Sequence, residues 1–284
     1  MKPGGWRLRC ETLELARPRI MGILNATPDS FSDGGRFADP VRALDRALEM
    51  VDAGADLLDV GGESTRPGAR SVPPEEELAR ILPVIKALKA RLPTPISVDT
   101  RKAEVARAAL DAGADVINDV SALHDAAMGD VVAASGAGLV LMHMRGNPQT
   151  MQRAPSYHDV AGEVAAELSA ALLRAREAGI APERIVIDPG IGFAKTAEHN
   201  LELLGRLDEL ASLGRPILVG PSRKAFLGKL LGDVPPERRD VGTAAACVVA
   251  LLRGVRIFRV HEPRIVREAL TVAEAVRQAE RSQM

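Results

Sequence analysis

The chain has 284 residues, of which 46% are hydrophobic and 26% are charged, and its formal net charge at pH 7 is −1. These values are typical of a folded globular protein with a sizeable apolar core, and they exclude a disordered chain. The near-zero net charge gives no electrostatic reason to expect nucleic acid or an anionic membrane as a partner.

Cysteine spacing and the lack of long apolar runs predict the cellular compartment. Cys10 and Cys247 are too far apart in sequence for a metal-binding or redox motif, so both are expected to be free thiols in a reducing environment. The N-terminal residues lack the apolar segment of a signal peptide, and no apolar run reaches the roughly 18 residues that a membrane helix needs. The sequence therefore predicts a cytoplasmic protein without membrane segments.

A junction of one kind recurs along the chain: an amphipathic stretch, a glycine, a short aliphatic run and then polar residues. The glycines suit the left-handed position that follows the end of a helix, and they are Gly54, Gly113, Gly136, Gly179, Gly214 and Gly254. The aliphatic runs are unbroken, which is typical of parallel strands buried on both faces. With one more run before the first helix and one after the second, the pattern predicts eight strands, at residues 20–26, 57–62, 95–100, 116–120, 138–144, 185–189, 216–221 and 256–261.

Helical stretches lie between these strands. They are predicted at residues 40–53, 74–92, 102–112, 127–135, 159–178, 197–212 and 263–282, with one or two more within 222–253. Successive βα units without a linker favour a single-domain (β/α)₈ TIM barrel over residues 20–284. Residues 1–19 are expected to form a short N-terminal extension, as a strand or hairpin covering the bottom of the barrel. The alternative is an open doubly wound sheet, but no strand precedes the G-x-G-x-x-G turn of a nucleotide-binding fold.

Polar residues follow every predicted strand at its C-terminal end, which is where the catalytic groups of α/β barrels lie. They are Asn25, Asp59, Asp99, Asn118, Asp119, His143, Asp188, Ser222, Arg223, Lys224, Arg259 and His261, with Glu63, Thr65 and Arg66 in the loop after the second strand. Any one of them alone would more often be a helix cap or a solvated loop residue. Because a barrel brings all its strand ends to one rim, we expect these residues to converge on a site.

The chemistry of the rim residues divides them into two sets. Carboxylates, an amide and an ammonium complement a flat heterocycle with ring donors and acceptors, and buried carboxylates are costly unless they are paired or bind a ligand. This first set is Asp99, Asn118, Asp188 and Lys224. The second set suits an anion such as phosphate, and it comprises Asn25, Arg66, Arg259 and His261. For Arg66 and Arg259, spacing alone leaves an ion pair with a neighbouring carboxylate as an equally good interpretation.

The connections after the first and second strands are much longer than the others. Their sequences, "NATPDSFSDGGRFADP" and "GESTRPGARSVPPE", are rich in glycine and proline, and loops of this length on an active rim commonly cover a site. Solvated surface loops are the alternative. Phe31 stands among polar residues in the first loop, although the chain has only five Phe, one Trp and one Tyr. An aromatic residue would ordinarily be used in the core, so its place in this loop suggests a function there.

Eight motifs taken together resemble the dihydropteroate synthase family. In chain order they are "MGILNATPDSFSDGG", "DVGGESTRPGA", "SVDTRKAEVA", "INDVSAL", "LMHMRGNPQTMQ", "DPGIGFAKT", "GPSRKAFLG" and "RVHEP". They span residues 20–265 in the family's order and spacing, which makes the match highly specific. The resemblance implies a folate-pathway transferase that joins p-aminobenzoate to 6-hydroxymethyl-7,8-dihydropterin diphosphate, giving 7,8-dihydropteroate and diphosphate.

The resemblance also implies roles for individual residues. The pterin would be bound by Asp99, Asn118, Met142, Asp188 and Lys224. The diphosphate would be bound by Asn25, Thr65, Arg66, Arg259 and His261, with Mg²⁺ bridging Asn25 and the phosphate oxygens. p-Aminobenzoate would contact Phe31, Thr65, Pro67, Phe193, Ser222 and Lys224, with Phe31 on a lid that Gly34 and Gly35 allow to move. The catalytic residues would be Asp99, Asp188, Lys224, Arg259 and His261.

Departures from the family pattern are small. Ile191 replaces an aromatic residue, Ala194 replaces a glycine, and Ala26 stands where valine is frequent. These exchanges affect the shape expected of the p-aminobenzoate pocket and spare the polar groups. The resemblance further implies a sulfonamide target and a homodimer, formed through late helices such as 240–253 and 263–282.

Two other functions are compatible with a pterin-binding rim. A corrinoid-dependent methyltransferase would bind a folate pterin on similar rim residues, but it would not need a diphosphate site or the two long loops. A non-catalytic pterin-binding barrel would be expected to lack a diphosphate ligand. Since Arg66, Arg259 and His261 are all present, the sequence favours the synthase over both alternatives.

Overall fold

The computed structural model of the protein describes residues 4–26, 39–66 and 68–282. Eight parallel strands form its central sheet, and a two-stranded antiparallel hairpin precedes them. The hairpin strands are β1 (Trp6–Arg7) and β2 (Thr12–Leu13). The strands of the central sheet are β3 (Arg19–Asn25), β4 (Leu57–Gly61), β5 (Ile96–Asp99), β6 (Val116–Asp119), β7 (Gly138–Met142), β8 (Ile185–Asp188), β9 (Leu218–Val219) and β10 (Ile257–Val260).

Helices alternate with these strands along the chain. The α-helices are α1 (Pro40–Asp52), α2 (Pro74–Lys89), α3 (Ala103–Asp111), α4 (Ala126–Ser135), α5 (Val160–Glu177), α6 (Ala197–Gly205), α7 (Ala225–Leu230), α8 (Asp240–Leu252) and α9 (Pro263–Ser282). Short 3₁₀ helices occur at Pro182–Arg184, Leu207–Leu213 and Pro236–Arg238. Among the described residues, no helix combines the length and the apolar character needed to cross a membrane.

Hydrogen bonding closes the sheet into a barrel. The strands are adjacent in the order β8-β7-β6-β5-β4-β3-β10-β9. A parallel bridge between Ile187 in β8 and Ile217, just before β9, joins the two edges of the sheet, and Ile187 N donates to Pro216 O over 3.0 Å. The predicted (β/α)₈ barrel is therefore confirmed, and its strand ends meet at one C-terminal rim.

Side-chain caps mark the starts of some helices, and glycines follow the ends of several. The side chain of Asp39 accepts from Val41 N at the start of α1, and Thr196 accepts from His199 N at the start of α6. All six glycines predicted to follow helices have positive φ. At the end of α4, for example, Gly136 has a φ of 65°, a conformation that residues with a Cβ adopt at a cost.

Three elements have boundaries that differ from the predicted ones or were left open by the prediction. The strand predicted at 216–221 has regular pairing only at Leu218–Val219. The helix predicted at 197–212 ends at Gly205 and continues as a 3₁₀ helix, whose buried Leu207 and Leu210 are spaced three apart, as that helix requires. The segment 222–253 contains two helices, α7 and α8, which a Pro-Pro pair and a 3₁₀ turn separate.

Apolar side chains pack the bottom of the barrel, opposite the rim. Residues from the hairpin and from the inner faces of the strands form this layer: Trp6, Leu8, Leu13, Leu15, Met21, Leu57, Val116, Val140, Val186, Leu218 and Ile257. Trp6 is completely buried, and its Nε1 donates to the carbonyl of Arg184 over 2.8 Å. The hairpin thus covers the N-terminal end of the barrel with hydrophobic packing.

Candidate active site at the C-terminal rim of the barrel

An ion cluster at the rim joins side chains from β10, β4, β5 and β6. Arg259 donates from Nε to Asp59 Oδ2 over 2.6 Å and from Nη2 to Asp99 Oδ2 over 2.8 Å. Asn118 donates from Nδ2 to the same Asp59 oxygen over 3.1 Å. Strand register explains part of this convergence, because Asp99 lies beside Gly61 on one neighbouring strand and beside Asn118 on the other. Arg259 is therefore ion-paired, as one of the two interpretations of its spacing predicted.

Several buried oxygen atoms of this cluster, and that of Ser97, the register partner of Asp59, have no hydrogen-bond partner among the described residues. They are Asp59 Oδ1, Asp99 Oδ1, Asn118 Oδ1 and Ser97 Oγ. Buried polar atoms in folded proteins are nearly always hydrogen-bonded, and an unpaired one costs about 1–3 kcal/mol. These four acceptors lie on three adjacent strands, β4, β5 and β6. Such a row suits a ligand that carries several N–H donors.

Asp188 and Lys224 lie close enough to this cluster to interact electrostatically with Arg259. Asp188 ends β8, and its Oδ1 accepts from Gly190 N over 2.8 Å, which orients the carboxylate. Lys224 immediately precedes α7, and its Nζ lies 3.7 Å from the centre of the Phe193 ring, within cation–π range. Within the described residues this ammonium has no hydrogen bond or ion pair, so it is available to an acceptor on a ligand.

A small apolar cluster adjoins these charged groups. Its buried members are Val120, Met142, Met151, Phe193 and Ala194. Met142 and Phe193, which the resemblance assigns to the pterin and to p-aminobenzoate, thus belong to one surface. Val120 and Met151 also form part of it, although they stand inside quoted motifs where nothing distinguishes them from ordinary core residues.

The predicted anion-binding residues lie at the ends of β3 and β10 and in the loop after β4. Ser222 Oγ accepts from the backbone N–H of His261 over 3.1 Å and lies 2.8 Å from His261 Nδ1. Since this hydroxyl already accepts, its own proton is best donated to Nδ1, which places the imidazole proton on Nε2. Arg66 is exposed, Thr65 beside it is half-buried, and Asn25 ends β3.

Burial dominates the titration of the two rim carboxylates. It raises the pKa of Asp99 to about 7, with the nearby Asp59 carboxylate acting in the same direction and Arg259 in the opposite one. It also raises the pKa of Asp188 to about 6, although the hydrogen bond from Gly190 favours the ionised form. Carboxyl groups whose pKa values are raised by burial in a cleft are typical of functional sites.

The pKa values of the basic groups at the rim are lowered. Burial, with repulsion from Arg259, lowers the pKa of Lys224 to about 7. Burial, with repulsion from Arg223 and Arg259, lowers the pKa of His261 to about 3. The positive charge of Arg66 acts in the same direction on both pKa values. At neutral pH His261 is therefore a neutral hydrogen-bond donor, and Lys224 titrates close to neutrality.

Other polar residues at the strand ends support the structure instead. Asp119 accepts backbone N–H bonds within its own turn. Arg223 forms a bidentate ion pair with Asp240, both bonds being 2.8 Å long. Glu63 pairs with Arg101 over 3.0 Å. For these residues the simpler interpretation, a cap or an ion pair, is the correct one.

Two predicted p-aminobenzoate contacts, Phe31 and Pro67, lie outside the described residues, as do Gly34 and Gly35. Conversely, sequence reasoning assigned Asp59 no role beyond its place at a strand end, although it accepts hydrogen bonds from both Arg259 and Asn118. The available signal was a carboxylate inside the otherwise apolar run "LLDVG". Such a residue is expensive to bury unless it is paired.

Comparison with known proteins places the chain in a family. The family model described as "Pterin binding enzyme" matches residues 21–261. A dihydropteroate synthase of Synechocystis sp. is 51% identical over 261 residues, which cover 92% of this chain and 90% of that protein. A solved structure of Xanthomonas albilineans dihydropteroate synthase with 4-aminobenzoic acid has a TM-score of 0.90 and 48% identity, and covers 96% of this chain and 98% of that one. A second structure of that enzyme, in complex with 7,8-dihydropteroate, has a TM-score of 0.84 and 43% identity at the same coverage of both chains, 96% and 98%.

The protein is a (β/α)₈ barrel with buried polar groups at its C-terminal rim, and the chain belongs to the pterin-binding enzyme family. Within that family its function is that of a dihydropteroate synthase, a transferase of folate biosynthesis. The methyltransferase and the non-catalytic barrel are correspondingly disfavoured.

Proposed function

We propose that the rim binds 6-hydroxymethyl-7,8-dihydropterin diphosphate and p-aminobenzoate and joins them, releasing diphosphate. The observation that carries this proposal is the row of buried acceptors on β4, β5 and β6, which lies beside the partly buried Arg259 and beside Lys224. Within the described residues neither these acceptors nor the Lys224 ammonium has a hydrogen-bond partner. The relatives from Xanthomonas albilineans, which bind 4-aminobenzoic acid and 7,8-dihydropteroate, support the same pair of substrates.

The pterin ring would lie across this row of acceptors. A pterin carries an amino group and ring N–H groups as donors, and a carbonyl oxygen as an acceptor. Asp99, Asn118 and Asp188 would accept from the donors, and Lys224 would donate to the carbonyl oxygen. Hydrogen bonds to charged groups contribute about 1.5–3 kcal/mol each, so this edge would determine most of the specificity. Met142 would pack against the face of the ring.

The diphosphate would lie on the cationic side of the rim. Arg66 is exposed and has no ion pair within the described part of the chain, so it can turn toward an anion. His261 would donate from Nε2, since its Nδ1 is occupied by Ser222. Arg259 uses Nε and Nη2 in its ion pairs, which leaves Nη1 for a phosphate oxygen. Asn25 and Thr65 would complete this side of the site.

Magnesium fits this arrangement if the substrate supplies most of its ligands. Mg²⁺ commonly keeps several waters and needs one or two protein oxygens beside a phosphate. Within the described residues no cluster of three or more His, Cys, Asp or Glu side chains could hold a metal. The Asn25 amide, at the end of β3, has no side-chain hydrogen bond in the same part of the chain and would supply one oxygen. When bound, the ion would neutralise charge on the leaving diphosphate.

The reaction requires no nucleophilic side chain. The C–O bond between the pterin methylene and the diphosphate breaks, and its electron pair leaves with the diphosphate. The lone pair of the arylamine nitrogen forms the new C–N bond, and one amine proton passes to water. If the C–O bond breaks first, ionised Asp99 and Asp188 stabilise the positive charge on the pterin side, while Arg66 and His261 stabilise the negative charge on the leaving group.

p-Aminobenzoate would bind beside the pterin methylene. Phe193, Ser222 and Lys224 would form the described part of its surface, with Thr65 at the edge. Phe31 and Pro67, outside the described residues, are proposed to close over it from the two long loops. Lys224 would then contact both substrates, because its charge interacts with Asp99 and Asp188 and its Nζ lies 3.7 Å from the centre of the Phe193 ring.

We also propose that the protein is a cytoplasmic homodimer joined through α8 and α9. These helices pack against each other and expose apolar side chains on their outer faces. The exposed fractions are 74% for Val241, 57% for Leu252, 67% for Val272 and 55% for Val276. A second copy of the chain would cover this face.

Product formation tests the catalytic proposal. The purified protein, mixed with pterin diphosphate, p-aminobenzoate and Mg²⁺, should form dihydropteroate and diphosphate in equal amounts, and omission of p-aminobenzoate should stop both. Folded protein that binds the pterin but releases no diphosphate would contradict the synthase function. A matched negative control is Lys224→Met, which keeps the bulk of the side chain but removes its charge.

A further inference from the structure

Lys195 is a buried lysine that the proposed reaction does not use. It is 3% exposed and lies in the connection between β8 and α6. Its Nζ donates to Gly190 O and to Phe193 O, both over 3.1 Å, and lies 3.0 Å from His143 Nδ1. An ammonium has three N–H donors, so each of them has one acceptor here.

The histidine that contacts Lys195, His143, forms a second hydrogen bond through its other ring nitrogen. His143 is 3% exposed, and its Nε2 lies 3.0 Å from Glu167 Oε2. Its Nε2 therefore donates to the carboxylate, and its Nδ1 accepts from the lysine. Glu167 also accepts from Arg145 Nε over 2.9 Å. This chain of hydrogen bonds runs inward from α5 and fixes the position of the Lys195 ammonium.

The segment 190–194 has a backbone that needs such support. Gly190, Gly192 and Ala194 have positive φ values of 68°, 82° and 48°. A Cβ at Gly190 would lie 1.9 Å from His143 O, so the turn is pressed against the end of β7. Ala194 is a residue with a Cβ in the left-handed region, which persists where the surroundings over-determine it.

This turn carries three groups of the proposed site. Gly190 N orients the carboxylate of Asp188. A Cβ on Gly192 would lie 2.7 Å from Lys224 Cδ, so the lysine stem rests directly on the turn. The Phe193 ring lies under the Lys224 ammonium. A displacement of the turn would therefore move parts of both substrate pockets.

We propose that Lys195 is a positioning residue for the reaction. Its hydrogen bonds to Gly190 O and Phe193 O fix the 190–194 turn to an ammonium that His143 holds in place. The turn sets the positions of Asp188, Phe193 and Lys224. This inference rests on the proposed function of the rim. The outer side of the same turn has separate anchors, because Gly192 N donates to Asn200 Oδ1 over 2.6 Å. Loss of the lysine bonds should therefore shift the turn without unfolding it.

Lys195→Met tests this role because it keeps the length and burial of the side chain and removes all three donors. Misplacement of reacting groups by about 1 Å can cost about 100-fold in rate. We expect kcat/KM for p-aminobenzoate to fall about 10- to 100-fold per folded molecule. Lys89→Met is the matched control: Lys89 pairs with Asp115 over 3.1 Å at the bottom of the barrel, so its loss should leave kinetics within twofold of wild type.

Fluorine NMR separates positioning from a general loss of stability. The chain has five phenylalanines, so labelling with 4-fluorophenylalanine gives five resonances, of which Phe193→Leu identifies one. In Lys195→Met the Phe193 resonance should shift or broaden, while that of Phe258, completely buried in β10, stays in place. If this variant does not fold, Lys195→Gln, which has two amide N–H donors on a shorter side chain, serves in its place.

The outcomes distinguish this inference from the proposed function. Wild-type activity in folded Lys195→Met, or a loss of activity with an unmoved Phe193 resonance, would overturn the positioning role while leaving the synthase intact. Wild-type protein that forms no dihydropteroate would overturn the synthase proposal instead. In that case the Phe193 resonance still shows whether Lys195 fixes the turn.

Discussion

Replacement of Asp188 by asparagine should make the protein more stable and its pterin site weaker. The asparagine oxygen can still accept the 2.8 Å hydrogen bond from Gly190 N, so the turn after β8 keeps its anchor. The substitution removes the negative charge and changes little in volume. It therefore isolates what the buried charge costs the fold and what it contributes to ligand binding.

The pKa of Asp188 sets the size and sign of the stability effect. Burial raises it from 3.8 to about 6, and this value already includes the opposing attraction of Lys224 and Arg259. Because the folded pKa exceeds the unfolded one, the unfolded chain loses this proton first. The free energy of unfolding therefore falls as the pH rises from about 4 to about 6, and the full cost remains at higher pH. A shift of about two pKa units corresponds to about 3 kcal/mol at pH 8 and about half of that at pH 5.

Urea denaturation of wild type and Asp188→Asn at pH 5 and pH 8 measures this effect. The stability of the variant relative to wild type should increase by about 1.5 kcal/mol between the two pH values, and steric effects of the substitution cancel in that comparison. Calorimetric titration at pH 8 should show about 10- to 100-fold weaker binding of 6-hydroxymethylpterin, the loss of one charge-assisted hydrogen bond. A stability difference that does not change with pH would refute the cost assigned to burial. Unchanged pterin affinity would remove Asp188 from the pterin pocket.

Two further substitutions test the diphosphate side and the lid. Arg66→Ala should weaken binding of pterin diphosphate by about tenfold or more but leave binding of 6-hydroxymethylpterin within twofold, because no ion pair within the described residues is broken. Calorimetry with both ligands measures this, and equal losses would place Arg66 elsewhere. Phe31→Ala should raise the KM for p-aminobenzoate severalfold more than the KM for pterin diphosphate, as the loss of a closing contact would. Steady-state kinetics with each substrate varied decides it, since equal changes in both KM values would contradict the lid hypothesis.

The fold could be predicted from the sequence because its signals are local and repeated. Each glycine such as Gly136 marks a helix end by its own conformational freedom, and each aliphatic run marks a buried strand. Closure of the barrel depends on pairing between residues that are distant in sequence. Among the described residues, an isolated bridge between Ile187 and Ile217 joins the two edges of the sheet. The exact length of β9 could not be predicted, since apolar residues at both ends of that run continue beyond the paired segment.

Site residues could be predicted where a polar side chain follows a strand. Roles that depend on contacts between residues distant in sequence could not. Asn118 and Asp99 stand side by side because their strands are neighbours in the barrel order. Spacing could not decide whether Arg259 binds a carboxylate or a phosphate, since both require the same guanidinium fork. The role inferred for Lys195 depends on three acceptors, two of them backbone carbonyls, that no motif encodes.

The unpaired acceptors and the shifted pKa values at the rim have one physical cause. Burial raises the pKa values of Asp99 and Asp188, and among the described residues it leaves Asp59 Oδ1 and Asp99 Oδ1 without a donor. Each of these carboxylates therefore costs the empty fold free energy that a ligand with N–H donors can recover on binding. The apolar layer at the opposite end, closed by Trp6 of the hairpin, has no such deficit and stabilises the barrel independently of substrate. Substrate binding should consequently stabilise the rim far more than the bottom, because the rim is the part of the fold left incomplete without it.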